Sequence, residues 1–180
     1  IEAGYTRVDN NAQAFANALV ATNGGSASTT QTLSLGVGRI FGGYKVTENF
    51  DVELGYYKTG DINYTFSGVT SGSTAYSGVA KVTVSGFDYS VLVRPNISSG
   101  WNNAFAFVGG HTDKEDLSVT GTNVRGGKVS ANGTGYMYGA GYDYALSPSA
   151  DVRFKVTRME KISNTSDAAT VLSVGILGKF

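Results

Sequence analysis

Cysteine is absent from the 180-residue chain, and histidine and tryptophan occur once each, as His111 and Trp101. The lack of cysteine excludes a disulfide framework, thiolate catalysis and any cysteine-based metal site. Lys+Arg and Asp+Glu both number 14, so there is no basic surplus that would favour nucleic acid as a partner. Only two prolines interrupt the chain, whereas glycine numbers 25 and tyrosine 11. This composition favours strands and turns over helices.

Long apolar runs are also missing. The longest candidate, residues 14–21, contains Asn17 and falls far short of the roughly 18 residues that a transmembrane helix needs. Mean hydropathy is −0.08, a value typical of soluble proteins. A transmembrane β-strand, however, crosses a bilayer in about 9–11 alternating residues. Low hydropathy therefore leaves open a membrane protein built from strands.

Apolar and polar residues alternate with period two through most of the chain, which places successive side chains on opposite faces of a strand. The residues that this alternation assigns to one apolar face are Phe50, Val52, Leu54, Phe87, Tyr89, Val91, Phe105, Phe107, Tyr138, Tyr142, Val152, Phe154, Leu172, Val174 and Ile176. A shortened first strand, 2–8, and a second strand, 31–46, complete a count of eight. In the second strand Leu35 and Ile40 differ in parity, so we predict a β-bulge near Gly38.

Short and long connections also alternate along the chain. Short turns are predicted at 47–49, around 95–100 and at 147–149, and long polar links at 9–30, 60–78, 113–133 and 160–170. We expect a short helix over 12–21 in the first link. The alternation of Ile62, Tyr64 and Phe66 predicts strands that continue beyond the membrane. Short turns on one rim and long loops on the other are typical of transmembrane barrels.

A soluble β-sandwich or lipocalin-like barrel would also alternate, so the second face must decide. That face is mostly small residues, which suit the narrow interior of an eight-stranded barrel. Its charges are balanced, which predicts a plug of ion pairs in the lumen. The predicted lumenal network is Glu53, Asp88 and Asp143 with Arg153, Lys155 and Lys179. Aromatic residues near strand ends, predicted to form interfacial girdles, are Tyr44, Tyr56, Trp101, Tyr142, Tyr144 and Phe180.

The sequence thus predicts one domain over 1–180, an all-β, eight-stranded antiparallel up-and-down transmembrane barrel with short periplasmic turns and long extracellular loops. The apolar face is then lipid-facing, in contact with outer-membrane lipids and lipopolysaccharide. No charge or polar stripe interrupts that face, so we expect a monomer. No motif calls for a cofactor, a metal ion or nucleic acid.

Several segments resemble the transmembrane domain of the outer-membrane protein A (OmpA) family. They are Phe41-Gly42-Gly43-Tyr44-Lys45-Val46 with 52–56, the stretch 139–148 with 152–154, and the terminal strand 172–180. The resemblance implies a bacterial outer-membrane location and a salt-bridge gate that involves Glu53, Asp143 and Arg153. Lys155, Lys179 and Arg39 are candidate partners of Glu53. Phe180 matches the signal read by the outer-membrane assembly machinery, and a chain ending there is expected to carry no periplasmic domain.

Three functions remain open at this stage. The leading hypothesis is a non-enzymatic barrel whose loops contact an unidentified extracellular ligand in a structural, adhesion or receptor role. The second is a small gated pore for ions or small solutes. The third is a lipid-modifying enzyme that uses His111 with Ser118 or Ser130, although an exposed histidine at a strand end is the simpler interpretation. The acidic run 113–116 is expected to cap a solvated loop.

Overall fold

The computed structural model describes residues 1–7, 11–95, 103–162 and 168–179. It contains one helix, α1 (Ala12–Asn23), and ten strands within these ranges. The strands are β1 (Glu2–Arg7), β2 (Ser26–Gln31), β3 (Ser34–Lys45), β4 (Phe50–Thr59), β5 (Ile62–Val69), β6 (Ala75–Val93), β7 (Ala104–Thr122), β8 (Gly127–Ser147), β9 (Ala150–Glu160) and β10 (Ala168–Gly178). No helix in the described part of the chain is long and apolar enough to cross a membrane.

Eight of the strands close into an antiparallel barrel. The order around the ring is β6-β4-β3-β1-β10-β9-β8-β7, and the pairing of β6 with β7 closes it. Closure begins at the N-terminus, where β1 lies between β3 and β10. A closed ring leaves no unpaired strand edge within the barrel, as a structure surrounded by lipid requires. The predicted eight-stranded antiparallel barrel is therefore confirmed.

The connections differ sharply between the two ends of the barrel. The short turn after β3 is held by Thr47, whose hydroxyl accepts hydrogen bonds from the backbone N–H groups of Asn49 and Phe50 at 3.2 and 3.1 Å. The turn after β8 contains Pro148 between two serines. At the other end, β6, β7 and β8 are 19 to 21 residues long and continue well past the ring. We call these two ends the short-turn end and the long-loop end.

The long strands form a second structure at the long-loop end, which we call the extension. It consists of β2, β5 and the upper parts of β6 (75–82), β7 (114–122) and β8 (127–135), with α1. β2 pairs with β5, and β5 pairs with β6, so the sheet order is β2-β5-β6-β7-β8. Nine residues of β8 span roughly 30 Å. The predicted helix and projecting strands are both present.

The predicted bulge near Gly38 is wrong. Both ladders of β3 run without a register shift, and Leu35, Val37 and Arg39 all face the interior while Ile40 faces outward. The apolar residues differ in parity because β3 changes surroundings along its length. Near the long-loop end its inward residues line an apolar cavity, and towards the short-turn end its outward residues join the external apolar surface. Residues 26–31, assigned to the first long link apart from Gln31, form β2 outside the ring.

Candidate functional site

An apolar belt surrounds the barrel on its outer surface. Eleven of the fifteen residues predicted to face lipid are large, exposed apolar side chains: Phe50, Val52, Leu54, Phe87, Tyr89, Val91, Tyr138, Phe154, Leu172, Val174 and Ile176. Tyr142 and Val152 are half-buried on the same face. Tyr44, Tyr56 and Tyr144 are exposed near strand ends, where amphipathic rings suit an interface. Trp101 and Phe180 lie outside the described residues, so their predicted roles are untested.

The prediction that Phe105 and Phe107 face lipid is wrong. Both are buried inside the barrel, at 3 % and 4 % exposure. Their register partners on β8 are Gly141 and Gly139, and the rings occupy the space that side chains at those glycines would fill. Small Ala104 and Ala106 take the outward positions instead. The alternation of β7 is real, but its phase is the reverse of the predicted one.

A network of ion pairs fills the interior at the level of these rings. Arg153 on β9 donates to both carboxylate oxygens of Asp143 on β8, at 2.7 and 3.0 Å, and also to Glu53 on β4. The guanidinium is 1 % exposed. An unpaired charge at such depth would cost several kcal/mol, so the two carboxylates are what makes burial of Arg153 possible.

Glu53 is shared with a second arginine. Arg39 on β3 donates to both oxygens of Asp88 at 2.9 and 2.6 Å, to Glu2 at 3.0 Å and to Glu53 at 3.4 Å. The guanidinium of Arg39 also lies 4.5 Å from the centre of the Phe41 ring. Among the three partners proposed for Glu53, Arg39 is the one in contact with it.

Arg94 extends the network towards the short-turn end. It donates to Asp51 at 2.7 Å and to Asp143 at 2.8 Å. Sequence reasoning omitted Glu2, Asp51 and Arg94, and it treated Arg39 only as a candidate. Glu2 and Asp51 are charged residues at positions that alternation can place inside the barrel. Glu2, however, lies in a strand of only six residues, and Asp51 lies beside a turn, so the sequence did not assign either side chain to the lumen.

The two lysines of the predicted network behave differently. Lys155 is buried, with its amine 4.4 Å from the centre of the Phe107 ring and no ion pair within the described ranges. Lys179 is not part of the network. It is half exposed at the short-turn rim and pairs with Asp151 at 2.6 Å. It lies past the final ladder pair, and its partner Asp151 is buried at the start of β9, away from the arginines of the network.

His111 is buried rather than exposed, so the simpler interpretation of it was wrong. Its Nδ1 lies 3.0 Å from a carboxylate oxygen of Asp113, and its Nε2 lies 3.0 Å from the carbonyl oxygen of Glu160. Asp113 is buried with it, and the run 113–116 lies within β7, not in a loop. Ser118 and Ser130 lie on the outward parity of their strands, Ser130 bonded to Asp116, so neither completes a nucleophilic site with the inward-facing imidazole.

The extension has its own small apolar core. Phe66, Tyr76 and Ala80 are buried there, and α1 packs against them through Phe15 and Leu19. The Phe15 ring stacks on Tyr64 with centroids 5.0 Å apart. The helix ends at Asn23, where Gly24 adopts a φ of 67° and donates to the carbonyl of Val20 at 2.8 Å.

Side-chain hydrogen bonds brace the extension on its other face. Asn123, with a φ of 55° in the β7–β8 turn, donates to the carbonyl of Ala75 at 2.9 Å and so ties two hairpins together. Ser130 and Lys114 bond to Asp116 and hold the pKa of that carboxyl below its usual value. Lys81 and Thr83 lower the pKa of Asp61 in the same way.

A family model described as an OmpA-like transmembrane domain matches residues 1–180. The chain belongs to the OmpA-like transmembrane domain family. This places the barrel in the bacterial outer membrane, with the long-loop end extracellular and the short-turn end periplasmic. No curated protein is similar enough in sequence to count as a match.

Two solved structures resemble this OmpA-like chain in fold. One is Ail, the attachment invasion locus protein of Yersinia pestis, solved in complex with the heparin analogue sucrose octasulfate. It is 10% identical, the comparison covers 99% of this chain and 95% of Ail, and the TM-score is 0.53. The other is the Neisserial surface protein A, with 16% identity, the same coverages and a TM-score of 0.47. At such low identity Ail supports the fold alone.

Proposed function

We propose that this OmpA-like barrel is a non-enzymatic surface protein that contacts molecules outside the cell through its extension. The observation that carries the proposal is the folded core of the extension. A loop that only connects two strands needs no helix packed on a five-stranded sheet, with Phe66 buried to 2 % exposure. Ordering so many residues costs conformational entropy, which a selected surface function would explain.

The outward face of the extension supports a polar partner. Its cross-strand rows are rich in hydroxyl groups, such as Ser28 opposite Ser67 and Ser67 opposite Ser77. One row places Lys81 and Lys128 on either side of Ser118. Hydroxyls both donate and accept hydrogen bonds, as sugar recognition requires, and lysines favour anionic groups. An anionic glycan is therefore the partner to test first, and the sulfated ligand in the Ail structure makes heparin a practical probe.

The test compares adherence to immobilised heparin by host bacteria that display either the parent chain or a shortened variant. In the variant, a two-residue Asn-Gly turn replaces 117–129 and so joins the register partners Asp116 and Ser130. A matched control inserts one glycine into the periplasmic turn at Pro148. We expect the parent and the control to adhere and the shortened chain not to. Equal adherence of all three, or of none, would contradict the proposal for this class of ligand.

The lumen is proposed to be a plug that stabilises the barrel. Two arginines share Glu53, and the guanidinium of Arg153 lies 4.6 Å from the centre of the Phe105 ring, so side chains occupy the lumen at this level. Planar-bilayer recording is expected to show insertion without conductance steps.

A gated pore is the second candidate. Glu53 pairs with both Arg39 and Arg153, and the lumen could open if Glu53 kept one of these arginines and released the other. Stable current steps in the parent, enlarged by Arg153→Ala, would establish this candidate and overturn the plug. An unboiled gel shift, which reports the folded barrel, confirms that each variant has inserted.

A further inference from the structure

A cavity of about 140 Å³ lies inside the barrel at its extracellular end, above the ion-pair network. Its wall is mostly aliphatic and aromatic and comes from strands on several sides of the ring. Its apolar lining includes Leu35, Val37, Tyr64, Val82, Met159 and Val171. Strands of soluble barrels line ligand cavities in the same manner, with apolar walls and a few polar groups.

The cavity has a floor. Tyr57, Val37, Met159 and Val171 line it and also line a smaller space of about 40 Å³ beneath, which reaches Arg39 and Asp88. Below that level, the guanidinium groups of Arg39 and Arg153 and the ring of Phe105 occupy the lumen. A molecule in the upper cavity would therefore have entered from outside the cell.

Two polar groups meet this apolar space without partners of their own. Tyr57 is 4 % exposed, and its hydroxyl is buried with no hydrogen-bond partner. Glu115 faces inward from β7 at the rim, and its carboxylate has no hydrogen bond or ion pair within the described part of the chain. Among the described residues, no lysine or arginine lines the cavity. A carboxylate without a cation, beside an apolar wall, complements a ligand that carries a positively charged donor.

We propose that this cavity binds a small apolar amine, a molecule of about one six-membered ring that carries a primary ammonium group. The volume sets the size, because an apolar protein cavity of about 150 Å³ accommodates benzene. The ring occupies the space between Leu35, Val82 and Val171. The ammonium group donates to the carboxylate of Glu115 at the rim, and the ring extends towards Tyr57 at the floor. This proposal is independent of the role proposed for the extension.

The probe is 4-fluorobenzylamine, followed by fluorine NMR with the barrel in phospholipid nanodiscs, and empty nanodiscs correct for partition into lipid. Two compounds of similar size serve as controls: 4-fluorobenzoate carries a negative charge, and 4-fluorotoluene carries no charge. We expect the amine to bind most tightly and the benzoate not to bind above the empty-disc level. Equal binding of all three, or no amine binding above that level, would overturn the proposal.

Three variants locate the site. Glu115→Gln is expected to weaken amine binding about tenfold, since it removes a charge-assisted hydrogen bond, and to leave toluene binding unchanged. Asp116→Asn is the matched control, because Asp116 is the next residue on β7 and faces the other side of the sheet. Ala169→Phe fills the cavity from β10 and is expected to abolish binding of both 4-fluorobenzylamine and 4-fluorotoluene. A gel shift checks that each variant is folded. Loss of affinity in the Asp116→Asn control as large as in Glu115→Gln would overturn the assignment.

Discussion

At the scale of single residues, the interior is organised around rings and glycines. The Arg153 guanidinium lies 4.6 Å from the Phe105 ring centre and the Arg94 guanidinium 5.2 Å from it. An aromatic face attracts a cation, so Phe105 both fills space and stabilises buried charge. Gly141, its register partner, supplies the room for the ring. The phase of β7 is set by this fit and not by hydrophobicity alone.

We predict that Gly141→Ala destabilises the barrel by about 1–3 kcal/mol through overpacking. A Cβ at this position would clash with the Phe105 Cζ and would lie 2.6 Å from the Phe154 carbonyl oxygen. Gly42→Ala is the control, because a Cβ there meets nothing within 4 Å. The measurement is the free energy of unfolding from urea titration in phospholipid vesicles. Equal values for the two variants would show that the ring does not depend on the glycine.

Removal of Arg153 tests the worth of the network. Arg153→Met leaves Asp143 without one of its partners and Glu53 with Arg39 alone, so we predict a loss of about 3–5 kcal/mol in the free energy of unfolding. Arg158→Met is the matched control, since its pair with Glu160 is 41 % exposed on the arginine side and is expected to contribute at most about 1 kcal/mol. A loss in Arg153→Met no larger than in the control would mean that water solvates the lumen.

At the scale of elements, most of the strands and the helix were predictable, whereas two strand phases were not. Period-two alternation locates β4, β6, β8, β9 and β10 because their lipid and lumen faces differ strongly. On β7, Ala104 and Phe105 suit either face, and the choice depends on glycines about 35 residues away. On β3, the inward side is apolar near the cavity and charged lower down. Odd or even position identifies the lumen-facing side of a strand only where each side keeps the same surroundings along the whole strand.

Helix α1 is predicted to depend on one aromatic contact. Phe15→Ala removes a ring that stacks on Tyr64 and packs against Phe66, with the Phe15 and Phe66 ring centroids 5.9 Å apart. We therefore expect the helix to detach while the barrel stays folded. Limited digestion with proteinase K should then cut near 12–23 and leave an unboiled gel shift unchanged. Gln13→Ala, an exposed position on the same helix, should not change the digestion. Loss of the gel shift in Phe15→Ala would instead mean that the extension and the barrel fold as one unit.

At the scale of the whole molecule, exposed apolar side chains occur in two different surroundings, lipid and water. Leu54 in the belt and Val129 in the extension are nearly equally exposed, at 62 % and 65 %. We expect the first to lie in the hydrocarbon region and the second above it. The charge network was only partly predictable at this scale, because Glu2 and Arg94 reach the lumen through ring closure and a chain reversal that no local pattern records.

This difference in surroundings gives a matched pair of substitutions. Leu54→Arg places a charge within the hydrocarbon region, where such a change costs about 2–4 kcal/mol on a barrel surface. Val129→Arg places the same charge in water, so we predict a change within about 0.5 kcal/mol. Urea unfolding of both variants in phospholipid vesicles measures the difference. Micelles of a short-chain detergent let water come closer to the belt, so the difference in unfolding free energy between the two variants should be smaller there than in vesicles. Equal destabilisation in vesicles would place Leu54 outside the hydrocarbon region and shift the belt towards one rim.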